Sequence, residues 1–128
     1  MMSTTQKEIL LADDEVNMLR LYEMSLKKAG YRTVACKDGT AALEQVGRSR
    51  PDLAVLDYFM PGKSGLEIIE EFRADPLLAD IPVIVVTGQR EVALRERLLE
   101  AGATEVISKP FSLARLASRV DEILEGAA

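Results

Sequence analysis

Apolar residues recur along the chain in two alternating patterns. Short, largely apolar runs appear at Ile9-Leu10-Leu11-Ala12, Thr33-Val34-Ala35-Cys36, Leu53-Ala54-Val55-Leu56 and Val83-Ile84-Val85-Val86, and the pair Val106-Ile107 completes the series. Each predicts a strand buried on both faces. Between the runs the spacing changes to three and four. Met18, Leu21, Tyr22, Leu26 and Ala29 follow it, as do Leu66, Ile69 and Phe72, then Leu94, Leu98 and Ala101, and finally Leu113, Leu116, Val120 and Ile123. These stripes predict amphipathic helices, with Met18, Leu21, Tyr22 and Leu26 as core residues, and Ala42, Leu43 and Val46 mark a shorter helix. Gly30 and Gly102 stand where C-terminal caps belong and Ser112 where an N-cap belongs, and Pro51, Pro76, Pro82 and Pro110 fall between elements. Five strands alternating with five helices imply a parallel sheet covered on both faces, joined by right-handed crossovers.

Composition narrows this α/β picture without changing it. A chain of 128 residues, 48% hydrophobic and 29% charged, suits one domain and is too short for two. The pattern places that domain at residues 8–125, with a flexible polar segment over 1–7 and a tail over 126–128. A net charge of -5 disfavours nucleic acid and anionic membrane surfaces as direct partners. The polar start and the absence of a long apolar stretch predict a soluble, cytoplasmic protein. With no histidine and one cysteine, Cys36, the chain offers metals only oxygen ligands, and Cys36 reads as a small buried hydrophobe.

In a doubly wound sheet, function gathers beyond the carboxyl ends of the strands, where strand order reverses. The first run ends in Asp13-Asp14, the third in Asp57, the fourth in Thr87 and the fifth in Ser108-Lys109-Pro110. Singly, each is an ordinary turn or cap residue. Jointly, three carboxylates, a hydroxyl and an ammonium land on one edge of one sheet. If strands one and three are neighbours, as in the flavodoxin-like order 2-1-3-4-5, two carboxylates about 5 Å apart repel by roughly 3 kcal/mol at an effective dielectric near 20. Lys109 offsets part of this, and a divalent, oxygen-seeking cation offsets the rest. Mg²⁺ suits two carboxylates, a backbone carbonyl and waters.

The blocks Leu10-Leu11-Ala12-Asp13-Asp14, Leu56-Asp57-Tyr58-Phe59-Met60-Pro61-Gly62-Lys63-Ser64-Gly65, Val86-Thr87-Gly88, Ala101-Gly102-Ala103 and Lys109-Pro110-Phe111 resemble those of two-component response-regulator receivers, of the CheY-like superfamily. The resemblance runs from Glu8 to about Leu124. It implies a flavodoxin-like (βα)5 fold in which Asp57 accepts a phosphoryl group from a histidine kinase or a histidine phosphotransfer protein. It further implies Mg²⁺ on Asp14, Asp57 and the carbonyl of Phe59, with Asp13 acting through a metal-bound water, and Thr87 and Lys109 on the phosphoryl oxygens. Such a domain catalyses only its own phosphorylation and dephosphorylation. It signals through the face made by the fourth helix, fifth strand and fifth helix, to an output partner or output domain, as a monomer or a phosphorylation-linked dimer. The resemblance also implies a cis Lys109-Pro110 bond.

Two positions depart from the family pattern. Val106 stands three residues before the lysine, where receivers usually carry Tyr or Phe, and so removes the aromatic rotamer switch. Phe59 is bulkier than the polar residue of fast-hydrolysing receivers and predicts slow loss of the phosphoryl group. The nearest rival reading is a receiver-like interaction module that works without phosphorylation. A haloacid-dehalogenase-type phosphatase would need a second Asp where Phe59 stands, and an FMN carrier would need a phosphate-cradling first loop where Asp13-Asp14-Glu15 stands.

Overall fold

The computed structural model describes residues 6–126. Of the leading segment 1–7 and the tail 126–128 expected from the sequence, residues 1–5 and 127–128 lie outside the described residues. The elements alternate strictly: β1 Glu8–Ala12, α1 Val16–Lys28, β2 Arg32–Cys36, α2 Gly39–Arg48, β3 Leu53–Asp57, α3 Gly65–Ala74, β4 Val83–Thr87, α4 Val92–Ala101, β5 Glu105–Ser108 and α5 Leu113–Gly126. All strand pairs are parallel, in the order β2-β1-β3-β4-β5. This is the flavodoxin-like order expected.

Side chains of a strand point alternately to its two faces, so each apolar run feeds two cores. Leu10, Ala12, Ala54, Leu56, Val83, Val85 and Val106 pack with Val46 of α2, Ile69 and Phe72 of α3, and Leu94 and Leu98 of α4. Ile9, Leu11, Leu53, Val55, Ile84, Val86 and Ile107 face the opposite way, onto Leu19, Tyr22 and Leu26 of α1 and Leu116 and Val120 of α5. Continuous apolar runs are therefore required in β1, β3 and β4, whose every residue is buried. Among the described residues, no helix is long and apolar enough to cross a membrane.

Three expectations need correction. The second run does not make a strand buried on both faces: β2 is the sheet edge, with Arg32 and Ala35 exposed and only Cys36 buried. In α1 the core position is Leu19, not Leu21, which is 40% exposed, and Met18 is only half-buried. The reason is geometric, because at about 100° per residue Leu19, Tyr22 and Leu26 share one face while Leu21 lies roughly 130° from its centre. The helix around Ala42 is not short: α2 has ten residues, as many as α3 and α4. The side chain of its N-cap Asp38 accepts from the Ala41 N–H at 2.7 Å.

The expected punctuation is in place. Gly30 and Gly102 have φ of 102° and 118°, in the left-handed region that a side chain disfavours. Ser112 Oγ accepts from the Arg115 N–H at 3.0 Å and caps α5. Ser64 and Glu67 form a reciprocal capping box at the start of α3. Gly65 follows, where a Cβ would stand 3.1 Å from the Asp57 carbonyl, so a glycine lets α3 start directly against the end of β3.

Candidate functional site

Register decides which strand ends meet. Ala12 pairs with Leu56, Leu56 with Val85 and Val85 with Val106, so Asp13 and Asp57 emerge side by side, one residue farther along their strands. Thr87 pairs with Ser108, and Lys109 follows directly. The Lys109 N–H donates to the Thr87 carbonyl at 2.8 Å, which ties the β5-α5 loop to the end of β4. The Lys109-Pro110 peptide is cis, as the resemblance implies.

Asp13, Asp14 and Asp57 each place a carboxylate oxygen within 4.8 Å of the others. Asp13 is 1% exposed and Asp57 7%, whereas Asp14 faces solvent. Lys109 reaches across to both buried acids, its Nζ 3.5 Å from Asp57 Oδ2 and 3.6 Å from Asp13 Oδ2. One ammonium thus serves two carboxylates. Asp13 Oδ1 accepts from the Glu15 N–H at 2.9 Å, but the buried Asp13 Oδ2 accepts no hydrogen bond, since Lys109 Nζ stands at ion-pair distance only. One ammonium shared between two buried carboxylates leaves this oxygen room for a further cation. Three converging carboxylates and a buried oxygen without a hydrogen bond fit a hard divalent cation.

The acids also perturb one another. Burial, then the charge of Asp13, pushes the Asp57 carboxyl up to about 6, against the opposing pull of Lys109 and the Phe59 N–H. Lys109 alone does not hold it down. Thr87 is buried at the same edge, and its hydroxyl accepts from the Gln89 N–H at 3.0 Å rather than bonding to the acids. Phe59 is 73% exposed and meets Tyr58 edge-on, with ring centroids 6.2 Å apart. The structure therefore joins Asp13, Asp14, Asp57 and Lys109 directly, and sets Thr87 at the end of β4 and Phe59 on the loop after β3. Cys36 is buried, and burial followed by the charge of Asp38 pushes its thiol up, so it is not an activated nucleophile.

Tyr22 is a neighbour that sequence reasoning treats only as core. Its ring stacks on Phe111 at 5.9 Å, and its buried hydroxyl has no hydrogen-bond partner. Burial raises its pKa first, and the charges of Asp13, Asp57 and Glu15 raise it further. A tyrosine within an apolar helical stripe carries no signal of this in the sequence.

A five-stranded flavodoxin-like sheet with paired acids and a lysine at its carboxyl edge defines a CheY-type domain. The chain belongs to the response regulator receiver domain family, whose profile matches residues 9–121, and is thus a receiver domain of two-component response regulators. It is 35% identical over 118 residues to the phosphate regulon transcriptional regulatory protein PhoB of Pseudomonas aeruginosa, covering 92% of this chain and 52% of that protein. The probable transcriptional regulator ycf27 of Cyanophora paradoxa is 37% identical over 96% of this chain and 50% of its own length. The chain spans about half the length of the curated relatives it matches. Among solved structures, the signal receiver domain of a signal transduction histidine kinase from Syntrophus aciditrophicus matches with TM-score 0.87 and 32% identity, over 94% of this chain and 91% of that one. A CheY-like receiver domain protein from Methanospirillum hungatei matches with TM-score 0.89 and 26% identity, over 95% and 96% of the two chains.

Proposed function

We propose that this receiver accepts a phosphoryl group on Asp57 from the phosphohistidine of a histidine kinase or histidine phosphotransfer protein in the cytoplasm, and signals through its α4-β5-α5 face. The observation that carries this reading is Lys109 Nζ poised 3.5 Å from Asp57 Oδ2, within a cluster of three carboxylates. An Asp57 oxygen forms the new O–P bond while the N–P bond of the donor imidazole breaks, its electron pair returning to the ring nitrogen. Such transfer has a loose, anionic transition state, so positioning and charge neutralisation supply most of the catalysis. Lys109 and the Thr87 hydroxyl would receive the phosphoryl oxygens. Asp14, Asp57 and the Phe59 carbonyl would hold Mg²⁺, with Asp13 supporting it through water. When bound, the ion neutralises the carboxylates and the incoming phosphoryl oxygens.

Incubation with Mg²⁺ and acetyl phosphate, followed by mass spectrometry, tests this directly. The native chain is expected to gain one phosphoryl group and Asp57→Asn none. An unmodified native chain rejects the reading in favour of a phosphorylation-independent interaction module, the alternative that Val106 supports.

A second expectation concerns lifetime. The exposed, apolar side chain of Phe59, two residues after Asp57, supports hindered access of water to the acyl phosphate. Phe59→Asn is expected to speed decay about fivefold, the equivalent of about 1 kcal/mol in barrier. Following the phosphorylated fraction with time checks it, and equal or slower decay in the variant refutes the shielding role.

A further inference from the structure

The start of α2 meets the loop after β3 backbone to backbone. A Cβ on Gly39, the first residue of α2, would stand 2.0 Å from the Lys63 carbonyl oxygen and 2.7 Å from both the carbonyl carbon and the Cβ of Lys63. Non-bonded carbon and oxygen in close contact keep about 3.3–3.6 Å apart, so no side chain fits there. The Gly39 N–H donates to the Pro61 carbonyl at 3.2 Å, across the same contact. Gly62, with φ of 81°, continues it, since a Cβ there would lie 2.6 Å from Thr40 Oγ1. Lys63 turns its ammonium away, to Glu71 Oε2 at 2.8 Å.

Nothing in the local backbone calls for glycine at position 39. Its φ is not in the left-handed region, and glycine is a poor helix former. Gly47, in the same helix, is exposed, with open space where its Cβ would be. Gly39 by contrast is buried, and the close approach of the loop accounts for it. That loop carries Phe59. On one side of Phe59 the chain is fixed at Tyr58, whose N–H donates to the Val86 carbonyl at 2.9 Å and whose carbonyl accepts from the Gly65 N–H at 3.1 Å. On the other side Met60 is buried in the core and Pro61 is held by Gly39. The Phe59 peptide therefore spans two anchors, and the second depends on α2.

We propose that Gly39 is a positioning residue for the metal site: by giving the backbone of Pro61, Gly62 and Lys63 room against α2, it holds the Phe59 carbonyl in place for Mg²⁺. The inference rests on reading that carbonyl as a Mg²⁺ ligand, but it does not require Asp57 to be modified. Mg²⁺ demands near-ideal octahedral geometry, which makes its affinity sensitive to small displacements of a ligand. Relieving the 2.0 Å contact of an added Cβ moves the loop by on the order of 1 Å. Residues that orient ligands without touching the ion typically change metal affinity by about 10- to 100-fold. A glycine that serves packing alone would instead cost stability and leave Mg²⁺ affinity intact.

The test is titration of the full chain with Mg²⁺, without any phosphodonor, followed by backbone amide NMR shifts. Gly39→Ala is expected to bind Mg²⁺ about tenfold more weakly than the native chain and to shift the Phe59 amide before any Mg²⁺ is added. Gly47→Ala puts the same methyl group on the same helix, and Val120→Ala loosens the opposite core; both should keep native Mg²⁺ affinity. The native protein supplies a readout independent of whether the variants fold. Because coupling is reciprocal, Mg²⁺ should slow hydrogen exchange at the Gly39 N–H by about fivefold. Native affinity in Gly39→Ala, an equal loss of affinity in Val120→Ala, exchange at Gly39 indifferent to Mg²⁺, or a native chain that binds no Mg²⁺ would each overturn the proposal. If the native chain and Gly39→Ala bind Mg²⁺ as expected while acetyl phosphate leaves Asp57 unmodified, the phosphoacceptor reading fails and this one holds.

Discussion

Replacing Arg73 with alanine is expected to lower the unfolding free energy by about 3 kcal/mol, a large share of the roughly 5–15 kcal/mol that holds a domain together. Arg73, in the last turn of α3, works as a clamp on backbone rather than as a surface charge. Its Nε and Nη2 donate to the Gly102 carbonyl at 3.1 and 2.8 Å, and its Nη1 donates to the carbonyls of Ala79 and Ile81 at 3.1 and 2.8 Å. One side chain therefore ties α3 to the C-cap of α4 and to the loop leading into β4. Burial pushes its pKa down, against the pull of Asp80, as suits a half-buried guanidinium. Alanine leaves three carbonyls without these charge-assisted partners, and lysine cannot reproduce the fork. Urea unfolding at constant slope measures the loss. Arg73→Lys should recover less than half of it, and a change under 1 kcal/mol in Arg73→Ala, about the value of an ordinary hydrogen bond, would contradict the clamp.

The second large effect has the opposite sign, because Asp57→Asn should stabilise the metal-free protein at neutral pH. Asp57 is raised from 3.8 to about 6 by burial and Asp13, so the native state holds its proton more tightly than the unfolded chain does. Between those values the native state binds more protons, and stability contributed by this group falls as pH rises. The cost is absent below about pH 4 and complete above about pH 6. Removing the charge removes the cost, a gain on the order of 1–2 kcal/mol near pH 7. Mg²⁺ should raise the stability of the native chain by mass action and leave the variant nearly unaffected. Denaturation in chelator across pH 4 to 7, then with Mg²⁺, gives both readouts. A variant less stable than the native chain at pH 7 in chelator would show that Lys109 outweighs burial, contrary to the balance drawn above.

Much of the architecture is legible in the sequence, and the reason lies in how each run is buried. Ile9 to Ala12, Leu53 to Leu56 and Val83 to Val86 must satisfy two cores at once, so they are apolar at every position and stand out. The β2 run is less informative, because an edge strand meets solvent and Thr33-Val34-Ala35 carries little record of which side is open. Leu21 misleads for a related reason: a leucine at helical spacing is compatible with either flank of a stripe, and only packing against the sheet selects Leu19 instead. Arg73 and Tyr22 are unreadable in advance, since their roles depend on carbonyls and carboxylates distant in sequence.

The candidate site divides along the same line. Asp13, Asp14, Asp57, Thr87 and Lys109 are legible as strand-end residues, because strands of a parallel sheet all point their carboxyl ends to one edge. By itself the sequence determined the order of elements, the two-faced burial of the inner strands and the set of polar groups delivered to that edge, all of which follow from local periodicity. Only the tertiary structure decided that Asp13 stands beside Asp57, that one lysine serves both, and that Asp13 Oδ2 is left without a hydrogen bond. Those are matters of register and non-local packing, where distances of a few ångströms set the electrostatics and the chain's own periodicity holds no information about them.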